Sequence, residues 1–321
     1  MGFLYSQLFV RPSAPTRSFA GETVIITGSN TGLGKEAARH IARLGASKII
    51  LAVRNTKAGE DAKRDIEKTT ACDRSVIEVW PLDLASYDSV KAFADRASKL
   101  PRIDVLLENA GIAATKYSQA EGHERTITVN VVSTFLLALL LLPKLKATAR
   151  QFNTSPRLVI VSSEVHAWTK FAEWQQPTDQ IFPTLDGEKT ANMGERYPTS
   201  KLLEVLVVRQ LAPKLAGSGV ALNMLNPGLC QSELSRESDS IVFDILKFFL
   251  ARSTELGSRT LVAAAAAGPD SHGKYMTNGK VNDGALSRFV KSKDGEVASE
   301  KVWHALSDIL EMISPGVTGN I

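Results

Sequence analysis

Tyr197 and Lys201 stand four residues apart in Tyr197-Pro198-Thr199-Ser200-Lys201, a spacing that sets both side chains on one face of a helix. A free phenol, with a pKa near ~10, is a poor acid–base group at neutral pH. A neighbouring ammonium and a positively charged nicotinamide ring would favour the phenolate and lower that value. Such a tyrosine can give a proton to, or take one from, the oxygen on a carbon that exchanges hydride. The spacing alone is common by chance. Its weight comes from its place, at the start of the helix after the fifth expected strand.

The second chemistry-bearing stretch is Thr27-Gly28-Ser29-Asn30-Thr31-Gly32-Leu33-Gly34, which follows the first β-branched run directly. Glycines there permit a tight turn and a close approach of backbone to a pyrophosphate, and the free N–H groups of the following helix favour the anion. The stretch makes Gly28, Asn30, Thr31, Gly32, Leu33 and Gly34 candidate cofactor contacts, with the spacing TGxxxGxG rather than GxGxxG. About twenty residues on, a site for NAD usually carries an acid for the ribose 2′-OH, whereas arginine suits a 2′-phosphate. This chain has Val53-Arg54-Asn55, with Lys57 nearby and no acid at the turn. An arginine fork pairs well with phosphate, so Arg54 points to NADP(H), with NAD(H) the weaker reading.

The elements that must position these groups read as short apolar strands alternating with helices. Strands are predicted at 23–26, 48–53, 76–80, 105–107, 158–161 and 220–225, and helices at 32–44, 58–68, 86–100, 122–146 and 196–215. That rhythm implies a parallel sheet covered on both faces. The fold class is α/β: a single doubly wound, Rossmann-type domain with a mostly parallel seven-stranded sheet. Residues 1–20 read as an N-terminal arm, with Phe3, Leu4, Leu8 and Phe9 docking it, and 21–321 as the catalytic domain. Two insertions, 164–195 and 232–252, leave the carboxyl ends of strands, where open α/β sheets bind ligands. The first carries Trp168, Phe171, Trp174 and Phe182, the second a run from Ile241 to Leu250. They read as lids or pocket walls ahead of the alternative, that they pack on each other or on a partner subunit.

Composition narrows the class. A formal net charge of +4 without a block of Lys or Arg argues against nucleic acid. Two distant cysteines, Cys72 and Cys230, exclude a disulfide scaffold and fit a reducing, cytoplasmic setting. The five histidines lack ligand spacing, so no metal is expected. The longest apolar stretch, Val131 to Leu142, falls below the ~18 residues of a membrane span and reads as a buried helix. Met1 to Ser6 has the form of an N-myristoylation signal, but the bulky Phe3 beside the glycine counts against it.

In joint order the motifs resemble the short-chain dehydrogenase/reductase family from about Gly21 to Ala285: the glycine turn, Asp83-Leu84, Asn109-Ala110-Gly111, Asn130, Ser163, Tyr197 with Lys201, and Asn226-Pro227-Gly228. The resemblance implies roles. Tyr197 would be the acid/base, Lys201 would hold the nicotinamide ribose, Ser163 would bond the substrate oxygen, and Asn130 would position a relay water. Asp83 and Leu84 would lie at the adenine, Asn109 and Gly111 at the ribose region, and Pro227, Gly228, Leu229 and Ser232 at the nicotinamide. The chain departs from the family in two places. Glu108 replaces the first asparagine of Asn-Asn-Ala-Gly, and the gap from Ser163 to Tyr197 is unusually long. The long gap is similar to the retinol-dehydrogenase-like and WW-domain-oxidoreductase-like branch and to reductases of fungal secondary metabolism.

The function these features imply is NADP(H)-dependent hydride transfer to or from a lipophilic alcohol or ketone, running as a ketoreductase. The alternative is a cofactor-binding scaffold or sensor, or a non-redox enzyme that retains the fold. No stable membrane insertion is expected. A homodimer through the long apolar helix and the tyrosine helix is open.

Overall fold

The computed structural model describes residues 3–231 and 251–321. Ser232 and nearly all of the second insertion lie outside the described residues.

Runs such as Thr-Val-Ile-Ile-Thr are buried at every position, as expected of strands covered on both faces. The main sheet contains β1 (Thr23–Thr27), β2 (Lys48–Val53), β3 (Ile77–Pro81), β4 (Val105–Glu108), β7 (Arg157–Val161), β8 (Ala221–Asn226), β9 (Tyr275–Thr277) and β10 (Lys280–Val281). Its order is β10-β9-β8-β7-β4-β1-β2-β3. From β3 to β9 all neighbours are parallel, which is the seven-stranded sheet expected. β10 adds an antiparallel eighth strand of two residues at the edge. Away from this sheet, β5 (Gln119–Ala120) and β6 (His123–Glu124) form a small hairpin. The chain runs outward from β1 to β3, then returns to β4 and proceeds the other way. The reversal opens a crevice above the carboxyl ends of β1 and β4, the place where doubly wound sheets take ligands.

One face is covered by α2 (Gly32–Arg43), α3 (Thr56–Thr70) and α9 (Thr254–Ala266), through residues such as Ala37, Ile41, Ile66, Leu261 and Val262. The other face carries α4 (Tyr87–Ser98), α6 (Ser133–Phe152) and α8 (Met193–Lys214). The helix predicted from Gly122 begins instead as α5 (Arg125–Ile127), passes through a π-helical turn at Thr128–Val132 and continues as α6. By length and composition 125–152 could cross a membrane, yet 89% of its apolar window is buried inside the chain.

The C-terminal helix α10 (Lys293–Ile313) packs along α8, where Ser299 Oγ donates to Leu206 O at 2.7 Å. The turn Val317–Asn320 lies on α6: Asn320 Nδ2 donates to Leu139 O at 3.1 Å, and Lys146 Nζ to Asn320 O at 2.8 Å. Part of the apolar surface of α6 and α8 is thus covered from within.

Two expectations about apolar residues need correction. In the 164–195 insertion, Phe171 and Phe182 are core residues, joined by Ile181 and Leu185 of α7 (Ile181–Asp186). Trp174 packs on the same core, 6.0 Å from the Phe289 ring. Trp168 alone of the four aromatics is exposed, at 58%. The segment is therefore mainly part of the core wall, because its apolar side chains meet α10 and its approach rather than a cleft. The arm, in turn, is the short helix α1 (Phe3–Phe9), and Leu8 and Phe9 point outward. Polar groups dock it instead. Gln7 is buried, donates from Nε2 to Leu229 O at 2.9 Å and accepts from Leu229 N at 3.2 Å. Arg252 Nη2 donates to Ser6 O at 2.6 Å and Val10 O at 3.0 Å. Loop backbone needs hydrogen-bonding partners, and here the arm supplies them.

Candidate active site

At the turn from β1 into α2, Gly28 has φ +63, and a Cβ there would stand 2.9 Å from Ala110 Cα. A Cβ on Gly34 would stand 2.6 Å from Asn109 Nδ2 and 2.8 Å from Gly28 O. No other residue fits either place. Asn109 braces the turn, donating from Nδ2 to Thr27 O at 2.8 Å and to Gly28 O at 3.2 Å. The backbone N–H groups of Asn109 and Ala110 both donate to Thr27 Oγ1 at 2.9 Å. Asn109 thus acts on the turn from within the protein rather than by facing a ligand alone.

The start of α2 is uncapped, as are those of α6 and α8, and differs in this from α3, α4 and α9. Asn55 caps α3, Ser86 caps α4 and Ser253 caps α9, each accepting from a backbone N–H of the first turn. Thr31 makes no such side-chain bond at the start of α2. The space beside Gly32 is open: a Cβ there would meet nothing within 4 Å. An uncapped helix start under a glycine turn fits the pyrophosphate of a dinucleotide. Arg54 is exposed just beyond β2, at the same edge. Leu33 packs partly on the core, and Asn30 and Thr31 are half-buried.

Beyond the turn, the expected residues divide. Asp83 is half-buried and accepts from Ala85 N at 2.9 Å, shaping its loop. The Leu84 side chain belongs to the core, leaving only its backbone for any contact, and Ser133 Oγ already bonds its carbonyl at 2.6 Å. Pro227, Gly228 and Leu229 form the loop after β8 that the arm grips.

The catalytic candidates converge. Asn130, fully buried in the π-helical turn, accepts from Ile112 N at 2.9 Å and donates to Ile112 O and Ser200 Oγ, both at 2.9 Å. Its side chain thereby ties the segment after β4 to the tyrosine helix. From the Gly111 Cβ position Asn130 Oδ1 lies at 3.3 Å and Lys201 Nζ at 3.6 Å. Lys201 Nζ is 5.7 Å from the Tyr197 ring centroid and donates to Val161 O at 2.9 Å and to Glu204 Oε1 at 2.8 Å. Ser163, at the end of β7, hydrogen-bonds the Tyr197 phenol.

The Lys201 ammonium favours the phenolate as expected, but burial works against it. Burial raises the Tyr197 pKa, and although Lys201 and the Ser163 bond pull it down, Glu204 and Cys230 push it up, leaving it above the ordinary value. Burial also works against the Lys201 ammonium, but Glu204 and Tyr197 outweigh it and hold the lysine above its ordinary value. Burial pushes Glu204 up to about 7 and Glu108 to about 8, with Glu204 itself adding to the Glu108 shift. Glu204, Cys230 and Arg252 are site neighbours that sequence reasoning missed. Only Glu204 carried a signal, its i, i+3 spacing from Lys201 on the same helix.

The arrangement has known relatives. A short chain dehydrogenase family model matches residues 22–172. The short chain dehydrogenase/reductase dmxR8 of Cryptosporiopsis sp. (strain 8999) is 54% identical over 325 residues, covering 100% of both chains. The chain belongs to the short-chain dehydrogenase/reductase family. A second fungal relative, short-chain dehydrogenase anuD of Penicillium roqueforti, is 45% identical over 99% of this chain and 84% of its own. Among solved structures, an uncharacterized protein from Mycobacterium Paratuberculosis matches with TM-score 0.67 and 30% identity over 93% of this chain and 96% of its own. NADPH-bound carbonyl reductase from chicken fatty liver matches with TM-score 0.61 at 19% identity over 83% of this chain and 99% of its own, a likeness of fold. As a member of this family the chain is an oxidoreductase of the nicotinamide-dependent kind.

Proposed function

We propose that this oxidoreductase is an NADP(H)-dependent ketoreductase for a lipophilic carbonyl substrate. The observation that carries the reading is the joint placement of Ser163, Tyr197 and Lys201 beside Gly111 and Asn130, at the crevice whose glycine turn leaves a helix start uncapped. The glycine turn fits a dinucleotide, and Arg54 favours the 2′-phosphate form. When bound, the cofactor supplies the hydride exchanged with the substrate carbon.

The chain's own residues handle the proton. A phenol raised above its ordinary value is neutral at physiological pH, which suits a donor to a carbonyl oxygen and hence the reductive direction. Ser163 holds the phenol and is placed to donate a hydrogen bond to the same oxygen. Asn130 spends its side chain on Ile112 and Ser200, so its contribution to a relay water passes to the backbone of the π-helical turn, where the regular ladder is interrupted. Ile112, Val165 and Leu229, partly exposed next to site residues in the chain, support an apolar substrate. Replacement of Tyr197 by phenylalanine should lower turnover across a panel of ketones by on the order of 10²–10⁴ while NADPH still binds by fluorescence titration. Turnover retained at the wild-type level would refute the assignment.

A further inference from the structure

Beneath the acid–base pair lies a carboxylate that the reaction as described does not use. Glu204 is 2% exposed, one helical turn below Lys201 on α8, and takes the lysine Nζ at 2.8 Å. Its second oxygen, Oε2, is buried with no hydrogen-bond partner. Across the sheet, Glu108 at the end of β4 is 3% exposed; Thr27 Oγ1 donates to its Oε2 at 3.3 Å, and its Oε1 is likewise without a partner. Glu108 pairs in register with Ile160, and the next residue of β7, Val161, provides the carbonyl that also holds Lys201. Burying carboxylates with unmet acceptors is costly in their charged form.

We propose that Glu204 is a positioning residue for the acid–base pair: with Val161 O it anchors the Lys201 ammonium from below and sets a negative charge within electrostatic reach of Tyr197. Glu108 is the neutral neighbour that lets this charge stand alone. Burial and the charge of Glu204 keep Glu108 protonated at neutral pH, so a second carboxylate does not oppose the first. The groups facing Glu204 are Lys201 and Ser162, with Glu108 from β4 and Tyr275 from β9. Those facing Tyr197 are Lys201, Glu204, Ser163 and Cys230. Glu164, beside Arg252 and Asn226, acts on Tyr275. Within this set Glu204 is the acid that contacts the lysine. It cancels part of the help Lys201 gives to phenolate formation and so keeps Tyr197 a proton donor to higher pH.

The inference rests on Tyr197 as the acid, and the test separates the two. NADPH-dependent reduction of one ketone is followed in brief assays from pH 6 to 11.5 in the wild-type chain, Tyr197→Phe, Glu204→Gln and Glu204→Asp. Loss of turnover in Tyr197→Phe assigns the alkaline limb to Tyr197; unchanged turnover there refutes the acid–base reading and this proposal with it. With the carboxylate gone, Glu204→Gln should move the alkaline limb down by at least half a unit, about a threefold loss of kcat/KM on that limb, with KM for NADPH changed less than kcat. A limb at the wild-type pH, even with activity reduced throughout, overturns the proposal, since that is the mark of a purely structural role. Should Glu204→Gln fail to fold, Glu204→Asp keeps the charge but draws it back by one methylene. Its limb should move the same way by less, and an unmoved limb there overturns the proposal equally.

Discussion

Buried acids stand near both ends of the central strands β1, β4 and β7, and the two ends are treated differently. Below the sheet, Glu22 precedes β1, Asp104 precedes β4 and Arg157 opens β7. Glu22 takes Arg17 and Arg157 on its two oxygens at 2.5 Å each. Asp104 accepts from Thr23 N at 2.9 Å and from both Nε and Nη2 of Arg102 at 2.7 and 2.5 Å. The remaining Arg157 nitrogens reach Ala265 O at 2.7 Å and Ser155 O at 3.1 Å. Above the sheet, Glu108 and Glu204 share one lysine and one threonine, and each keeps an oxygen unmet. Charges that are paired and fully hydrogen-bonded hold a structure in one arrangement; an under-satisfied pair in a dry site keeps its protons mobile in pH. The lower edge is built to stay folded, and the upper edge gives up stability beside the candidate acid–base pair.

The contrast can be broken at either end. Arg157→Ala strands the Glu22 carboxylate inside the protein, with only the partly exposed Arg17 left to answer it. It should cost on the order of 3 kcal/mol in urea unfolding, with the alkaline limb of the rate profile where it was. At the upper edge the effect is one of pH. Glu108 is raised from its ordinary 4.5 to about 8, so between those values the folded chain holds a proton that the unfolded chain has released. Stability contributed by that proton is full below about 4.5 and is lost as pH rises to about 8, by at most about 1.4 kcal/mol per unit. Glu204 adds a similar slope up to about 7. Glu108→Gln should therefore flatten the fall in unfolding free energy above pH 7, and a slope as steep as in the wild-type chain would contradict the assignment. The smallest effect belongs to the phosphate end. Arg54→Asp should reduce the preference for NADPH over NADH, read as a ratio of kcat/KM, by about tenfold, or ~1.4 kcal/mol, with no change in melting temperature.

What was legible in the sequence was whatever the chain encodes locally. The glycine turn, the alternation of apolar strands and helices, and the Tyr197–Lys201 spacing are short-range patterns, and the structure sets them together at one crevice. The insertion before Tyr197 was misread because its aromatics are matched by Phe289 and the helix from Lys293, more than a hundred residues on. Nothing within the segment tells a core wall from a pocket wall. The arm misled for the opposite reason: Leu8 and Phe9 face out, and Gln7 and Ser6 do the docking through backbone groups that no pattern announces. Glu204 was visible at i+3 from Lys201. Its meaning needed Glu108, whose approach is a matter of strand order, with β4 beside β7.

The arm has one more consequence, and it concerns time. Ser6, Gln7 and Val10 leave the ribosome long before the residues that hold them, Leu229, Arg252 and Asn278. At ~5–20 residues per second, the arm waits on the order of ten seconds or more for its clasp to be made. The glycine turn and the first strands have no such dependence and can pair meanwhile. A piece synthesised early is thus among the last to be fastened, and it fastens onto the loop that follows β8.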